Sequence, residues 1–479
     1  MSSFDSTPNL SASGVFDLAV RIAGEDLTGL GPPDIPWGSN ASEESFAAAI
    51  EPAIDYMPLA YQQAYVTPVQ QNLSRLAIAS PGGGDPAETV LGAIYDHGPG
   101  SEVGPPLRRF LAVVSDLYES FLSREKRLSL DLPLIEQLPP LATFRNDGSL
   151  GPYTYTVDIV QQMIGAPIAL VSVPSVYRNH PLLWGSLAHE TGGHDVVHAD
   201  PGLIQELQSG GGNVMLAVAA ASAWPQSGPL LSTLWQYWMN EATADVFGVL
   251  NIGPAFALNL SAWLMALRAQ LGQTTLPHLL TTSGTIEGNA LDIHPTDILR
   301  VDLAIGAIHA LRSLDPAVKA TYIDVLRQVA EVAAGGATSI GLDGYISVGD
   351  DASFPLSTTL PLPLMRTCAS ALGAFIVTAP FQAFDGKSIQ DIETWDDIDE
   401  AAARMIFSRA HARAAAAIGD PALILAGGTL AAVHNPAAYD LVNEMIAGAL
   451  DIAAARDPFW GRPRFQTHSP QKEEVTVNV

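Results

Sequence analysis

Apolar residues recur at three- and four-residue intervals over most of this chain, the spacing of one face of a helix. Between residues 43 and 80 they fall at Phe46, Ala49, Ile50 and Ile54 and again at Leu73, Leu76 and Ile78, which predicts helical structure. The stretch from Arg108 to Leu128 predicts an amphipathic helix ending in Arg124, Lys126 and Arg127, where cations complement the helix dipole. Ala- and Leu-rich runs predict further helices over 203–224, 231–250 and from Pro254 to about Leu271, then over 297–313, 315–334, 362–380, 397–418 and 436–455. The triplet Gly210-Gly211-Gly212 interrupts the first of these runs and reads as a flexible cleft element. Alternation is confined to Tyr153-Thr154-Tyr155-Thr156-Val157, followed by strand formers from Ile168 to Val173. The expected class is mainly α (α+β), with a small sheet just ahead of the most polar helix.

Turn residues divide the chain. Residues 1–45, with several Ser, Gly, Pro and Asn, read as an extended N-terminal arm in which 15–23 form a short strand or helix. Residues 46–290 form one region, 291–464 a helical C-terminal region, and 465–479 a disordered tail. Ser80-Pro81-Gly82-Gly83-Gly84-Asp85-Pro86 reads as a surface loop, because the Lys and Ser/Thr of a phosphate-cradling loop do not follow it.

Against this apolar background, residues 186–200 stand out: Ser-Leu-Ala-His-Glu-Thr-Gly-Gly-His-Asp-Val-Val-His-Ala-Asp. Asn179-His180-Pro181 opens the segment as a helix start, and Asp200-Pro201-Gly202 closes it. Two imidazoles on one helix face with a Glu beside the first is the pattern of a zinc hydrolase: the rings hold the metal and the carboxylate takes a proton from water. Here His189 and His194 are five apart, which on a regular helix turns their rings roughly 140° away from each other. A single π-bulge restores a shared face, and Gly192 and Gly193 ease such a turn. His198, four residues after His194, offers an alternative ligand at ordinary helical spacing; otherwise it lines the cleft. On the later helix, Glu241 and Asp245 lie four apart on one face, so Glu241 can bind the metal while Asp245 orients a ligating imidazole.

The run His189-Glu190-Thr191-Gly192-Gly193-His194 resembles the His-Glu-x-x-Gly-His signature of the dipeptidyl peptidase III family of zinc peptidases, and Asn240-Glu241-Ala242-Thr243-Ala244-Asp245 resembles its Glu-Glu-x-Arg-Ala-Glu/Asp segment. The resemblance implies a zincin-like fold and one Zn²⁺ per chain held by His189, His194 and Glu241, with Glu190 as general base and a peptide as substrate. The chain departs from the family at Asn240 and Thr243, so the metal site and hydrolytic chemistry carry over and the dipeptide-releasing specificity does not.

Peptide hydrolysis also needs a group to stabilise the developing oxyanion. His294, in Leu291-Asp292-Ile293-His294-Pro295 before the 297–313 helix, is the first candidate, with Tyr153, Tyr155, Tyr177 and Tyr237 behind it. His309, His411 and His434 stand alone and read as structural. The strand ahead of the metal helix is placed to pair with an extended substrate or to serve structure alone.

Composition narrows the partners. Fifty acidic against 23 basic residues give a net charge of −27, which argues against nucleic acid or an anionic membrane. The single cysteine, Cys368, rules out an intrachain disulfide and a thiolate cluster. No stretch reaches the roughly 18 unbroken apolar residues of a spanning helix, and the first residues lack the basic and apolar regions of a secretory signal. A cytoplasmic protein is expected, and a homo-oligomer is compatible with the helical C-terminal half. Two other readings remain open: a metal-dependent phosphohydrolase using His194-Asp195 with His180 or His189 and Asp245, and a non-catalytic assembly protein stabilised by its metal.

Overall fold

Helix-forming residues set the architecture: among the described residues 68% are in helices and 9% in strands. The computed structural model describes residues 8–27, 43–78, 86–98, 104–135, 137–145, 151–285, 289–348, 352–411 and 419–461. One contiguous hydrophobic core runs from Ala12 to Trp460. Within the segment expected as an extended arm, Ala12–Ile22 is an α-helix, started by Ser11, whose hydroxyl accepts from Gly14 N. It turns Val15, Leu18, Ala19 and Ile22 inward, spaced at three and four residues, so helical periodicity wins over the flanking turn residues. Of the loop expected over 80–86, residues 80–85 lie outside the described residues and Pro86 opens the helix Pro86–Asp96; the tail at 465–479 also lies outside them.

The expected helix over 108–128 is the helix Gly104–Leu122 followed by a separate turn, Arg124–Ser129, capped by Ser123. Three short strands follow: β1 (Leu141–Phe144), β2 (Tyr153–Tyr155) and β3 (Leu170–Val173). β3 is central, parallel to β1 and antiparallel to β2, which pairs Thr154 with Val171 and leaves β2 at an edge.

Two helical expectations change. The helix Leu203–Ala221 runs unbroken through Gly210-Gly211-Gly212. A Cβ at these positions would come within 2.3 Å of the Phe375 ring, 2.2 Å of Met239 and 2.4 Å of the Gln236 amide, so the glycines serve close packing rather than flexibility. The expected helix over 231–250 is divided into Gly228–Tyr237 and Met239–Ile252, with the break at buried Trp238, whose indole donates to Asp292 O at 3.0 Å.

The C-terminal half holds the expected helices Asp297–Ala310, Pro316–Ala333, Leu362–Thr378, Asp397–His411 and Tyr439–Ala454. It also holds a hairpin that the periodicity does not predict: β4 (Thr282–Ser283) pairs in parallel with β5 (Ser339–Val348), which pairs antiparallel with β6 (Ala352–Pro361). Ile340, Leu342 and Ile346 point into the core at every second or fourth residue, the strand alternation that Gly341 and Gly344 mask in sequence. The buried helix Pro421–His434 is a further addition, apolar on nearly every face and therefore without a periodic signal. No helix among the described residues is long and apolar enough to cross a membrane.

Candidate metal centre

After β3, two 3₁₀ segments, Ser175–Asn179 and Pro181–Ser186, lead into a buried helix whose hydrogen bonding changes twice. Leu187–His189 is α, Glu190–Asp195 is a π-helical turn and Val196–Ala199 is α again. In the π turn the bonds run from i to i+5, so residues five apart stack on one face. His189 and His194 are thereby brought together, ring centroids 4.9 Å apart and planes at 86°. The bulge expected from the five-residue spacing is present where the two glycines lie. A Cβ on Gly193 would stand 2.5 Å from Ala244 Cα, and one on Gly192 would stand 2.8 Å from Asn251 Nδ2. Their absence lets the helix Met239–Ile252 approach closely and deliver Glu241 and Asp245.

His189, His194 and Glu241 form a buried triad, able to hold a metal ion, whose ligand atoms all lie within 4.8 Å of one another. Glu241 Oε2 is 3.1 Å from His189 Nε2 and 3.4 Å from His194 Nε2. Ligands bound tetrahedrally at zinc's usual 2.0–2.2 Å sit about 3.4 Å apart, so the spacing fits such an ion. On the far side of its ring, His189 Nδ1 is 2.9 Å from Asp245 Oδ1. Asp245 accepts the proton on Nδ1, so Nε2 is the nitrogen that faces the triad and becomes a ligand once its own proton is displaced.

Asp245 is itself held. Arg300, from the helix Asp297–Ala310, donates through Nε to Oδ2 and through Nη2 to Oδ1, both at 2.7 Å. Burial works to raise the Asp245 carboxyl, but the Arg300 guanidinium prevails and holds it at about 2. Burial likewise opposes a charged His189 ring, yet Asp245 and Glu241 outweigh it and push the ring up to about 10. Glu241 lies well below the usual carboxylate range, since His294 and His194 more than offset its burial.

Glu190 is buried beside His189 and accepts a hydrogen bond from Thr154 Oγ1 at 2.8 Å, so edge strand β2 touches the carboxylate. His294 also reaches the cluster: its Nε2 is 3.2 Å from Glu241 Oε2, and its Nδ1 is 2.8 Å from Asp292 Oδ1. At 38% side-chain exposure it stands on the open side of the triad. Its loop is tied down by Tyr237, whose hydroxyl donates to Leu291 O, and by the Trp238 indole.

The remaining candidates lie elsewhere. His198 is exposed and pairs with Asn240 Oδ1 at 3.2 Å instead of joining the triad. Partial desolvation of the ring by the surrounding protein, then the neighbouring His194, lowers it from its ordinary value. Tyr177 is buried in the core, its hydroxyl donating to Leu27 O and accepting from Trp263. Tyr153 and Tyr155 flank Thr154 on a strand, so they project from the opposite face. His180 stacks on Tyr439, ring centroids 6.3 Å apart, and Asp195 has a buried carboxylate with no hydrogen-bond partner among the described residues; neither belongs to the triad. Thr154, Asp292 and Arg300 contact Glu190, His294 and Asp245 respectively, and the sequence reading left them without a role. For Arg300 a signal existed, a lone guanidinium one turn into the apolar run Asp-Ile-Leu-Arg-Val-Asp-Leu-Ala-Ile.

Comparison of the chain with family models, curated proteins and solved structures gives no match.

Proposed function

We propose that this protein is a zinc-dependent peptidase with a zincin-like centre. One observation carries the reading: three imidazole Nε2 atoms, from His189, His194 and His294, converge on the single oxygen Glu241 Oε2 at 3.1–3.4 Å inside the core. Of these, His189, His194 and Glu241 make the buried donor set that favours zinc, with Asp245 as acceptor behind one imidazole, and His294 stands beside it on the open side. The two short motifs resembling the dipeptidyl peptidase III family support the same reading.

When bound, zinc supplies Lewis acidity toward the scissile carbonyl and the attacking water. The chain supplies the rest. Glu190, beside the triad, takes the proton from the attacking water and passes it to the leaving amine. Asp292 fixes His294 through Nδ1, and His294 Nε2 donates to the oxygen on which charge develops. β2, the outer strand of its sheet and in contact with Glu190 through Thr154, lies where an extended substrate backbone would run.

The test is elemental analysis of the purified protein beside His194→Ala, followed by a peptide-library screen. About one zinc per chain, lost in the variant, together with peptide cleavage abolished by chelation, is the expected result. Wild type without stoichiometric metal sinks the proposal.

A further inference from the structure

An arginine buried in an apolar helix needs a reason. Arg300 is 5% exposed, between Leu299 and Val301, which are also buried. Removing a guanidinium from water costs several kcal/mol unless its donors are met. The pairing here is specific: both oxygens of Asp245 are engaged from one fork, and Asp245 is 1% exposed. The same Nη2 lies 3.4 Å from His189 Nδ1. Guanidinium, carboxylate and imidazole are therefore in mutual contact behind the metal-facing nitrogen.

We infer that Arg300 is a positioning residue of the centre: by gripping both oxygens of Asp245 it fixes the carboxylate plane that turns His189 Nε2 toward Glu241 and His194. The inference rests on reading the triad as a metal centre. A carboxylate held by one imidazole alone can swivel about its last torsion, and the ring swivels with it. A planar fork removes that freedom, whereas a lysine, a point charge on a flexible stem, does not. Arg300 follows His294 by six residues, at the start of the helix Asp297–Ala310, so the same contact docks the segment carrying His294 against the helix carrying Glu241.

The alternative role for Arg300 is plain neutralisation of a buried Asp, which Lys would also supply. A double-mutant cycle separates the two. Zinc release to a chromophoric chelator is timed for the full-length protein, R300K, R300Q, D245N and the two Arg300/Asp245 double variants, with melting curves to confirm folding. Loss of a partner behind a ligand costs roughly 10–100-fold in metal affinity. The expected result is at least tenfold faster release from R300Q and from R300K, with each double variant no faster than D245N, because Arg300 acts through Asp245. Release at the wild-type rate from R300K, or effects that multiply in the double variants, overturns the inference. If R300Q does not fold, the R300K arm completes the same cycle. A wild-type chain that binds no zinc overturns the metal-centre reading and the inference together, whereas zinc held equally by wild type and R300Q overturns the inference alone.

Discussion

Thr154 Oγ1 stands 2.8 Å from Glu190 Oε2, so a residue of the edge strand directly holds the carboxylate assigned to move the proton. The bond matters because the two residues belong to separate elements, β2 and the π turn, and in the proposed mechanism their contact would set where substrate lies relative to the base. Thr154→Val keeps the shape and removes the donor. A hydrogen bond to a charged group contributes about 1.5–3 kcal/mol, so kcat/KM should fall roughly tenfold or more while zinc content stays at wild type. Steady-state kinetics with the best library peptide gives the answer, and unchanged kcat/KM would remove Thr154 from the working site.

Glu190→Gln tests the base itself. The amide preserves size and an acceptor for Thr154 but cannot accept the water proton, so kcat should drop by about 10²–10⁴ with metal retained. His198→Ala is the companion. Because His198 pairs with Asn240 away from the triad, the variant should hold zinc as wild type does. Loss of zinc from His198→Ala would restore the His194/His198 ligand set instead.

The site was legible in sequence to the extent that its geometry is local. The five-residue interval between His189 and His194, with two glycines between, specifies a π turn, and the four-residue interval from Glu241 to Asp245 puts ligand and orienting carboxylate on one face. Arg300 and Thr154 acquire their roles only through tertiary contact, between helices Met239–Ile252 and Asp297–Ala310 in one case and between β2 and the π turn in the other. Spacing along the chain carries no trace of either contact. The fold shows the same division. Amphipathic helices could be read from periodicity, whereas the β5–β6 hairpin was obscured by Gly341, Gly344 and Pro355 in its strands. The crossover that places β3 between β1 and β2 depends on long-range pairing.

The two glycines of the π turn should respond differently to alanine. At Gly193 the added Cβ would meet the backbone of Ala244 at 2.5 Å, so the helix carrying Glu241 must retreat. Gly193→Ala should lose about 3 kcal/mol of stability and most of its zinc. At Gly192 the obstacle is the Asn251 amide at 2.8 Å, a side chain that can rotate at the expense of its bonds with Ser120 and Phe247 O. Gly192→Ala should therefore cost about 1 kcal/mol and keep its metal. Urea unfolding and zinc titration of both variants check the ordering, and equal losses at the two positions would contradict this account of the close approach.

The pH dependence of stability should bear the mark of carboxylates raised by burial. Asp116, on the helix Gly104–Leu122, accepts from Ala422 N at 2.9 Å, and burial pushes its carboxyl up from 3.8 to about 7. Burial does the same to Glu393, to about 7, against the pull of Lys126. When unfolded, these groups titrate near pH 4, so between roughly pH 4 and 7 the folded chain holds more protons than the unfolded one. The stabilising contribution is complete below the unfolded value and is lost as pH rises through the folded value. Asp116→Asn cannot ionise and keeps an oxygen for Ala422 N. Relative to wild type it should therefore gain stability as pH rises from about 4 to 8, on the order of 4 kcal/mol, and should match wild type only at or below about pH 4. Urea unfolding at four pH values measures that difference directly. A difference that stays flat across the range would mean that Asp116 is ionised in the fold throughout, despite its burial.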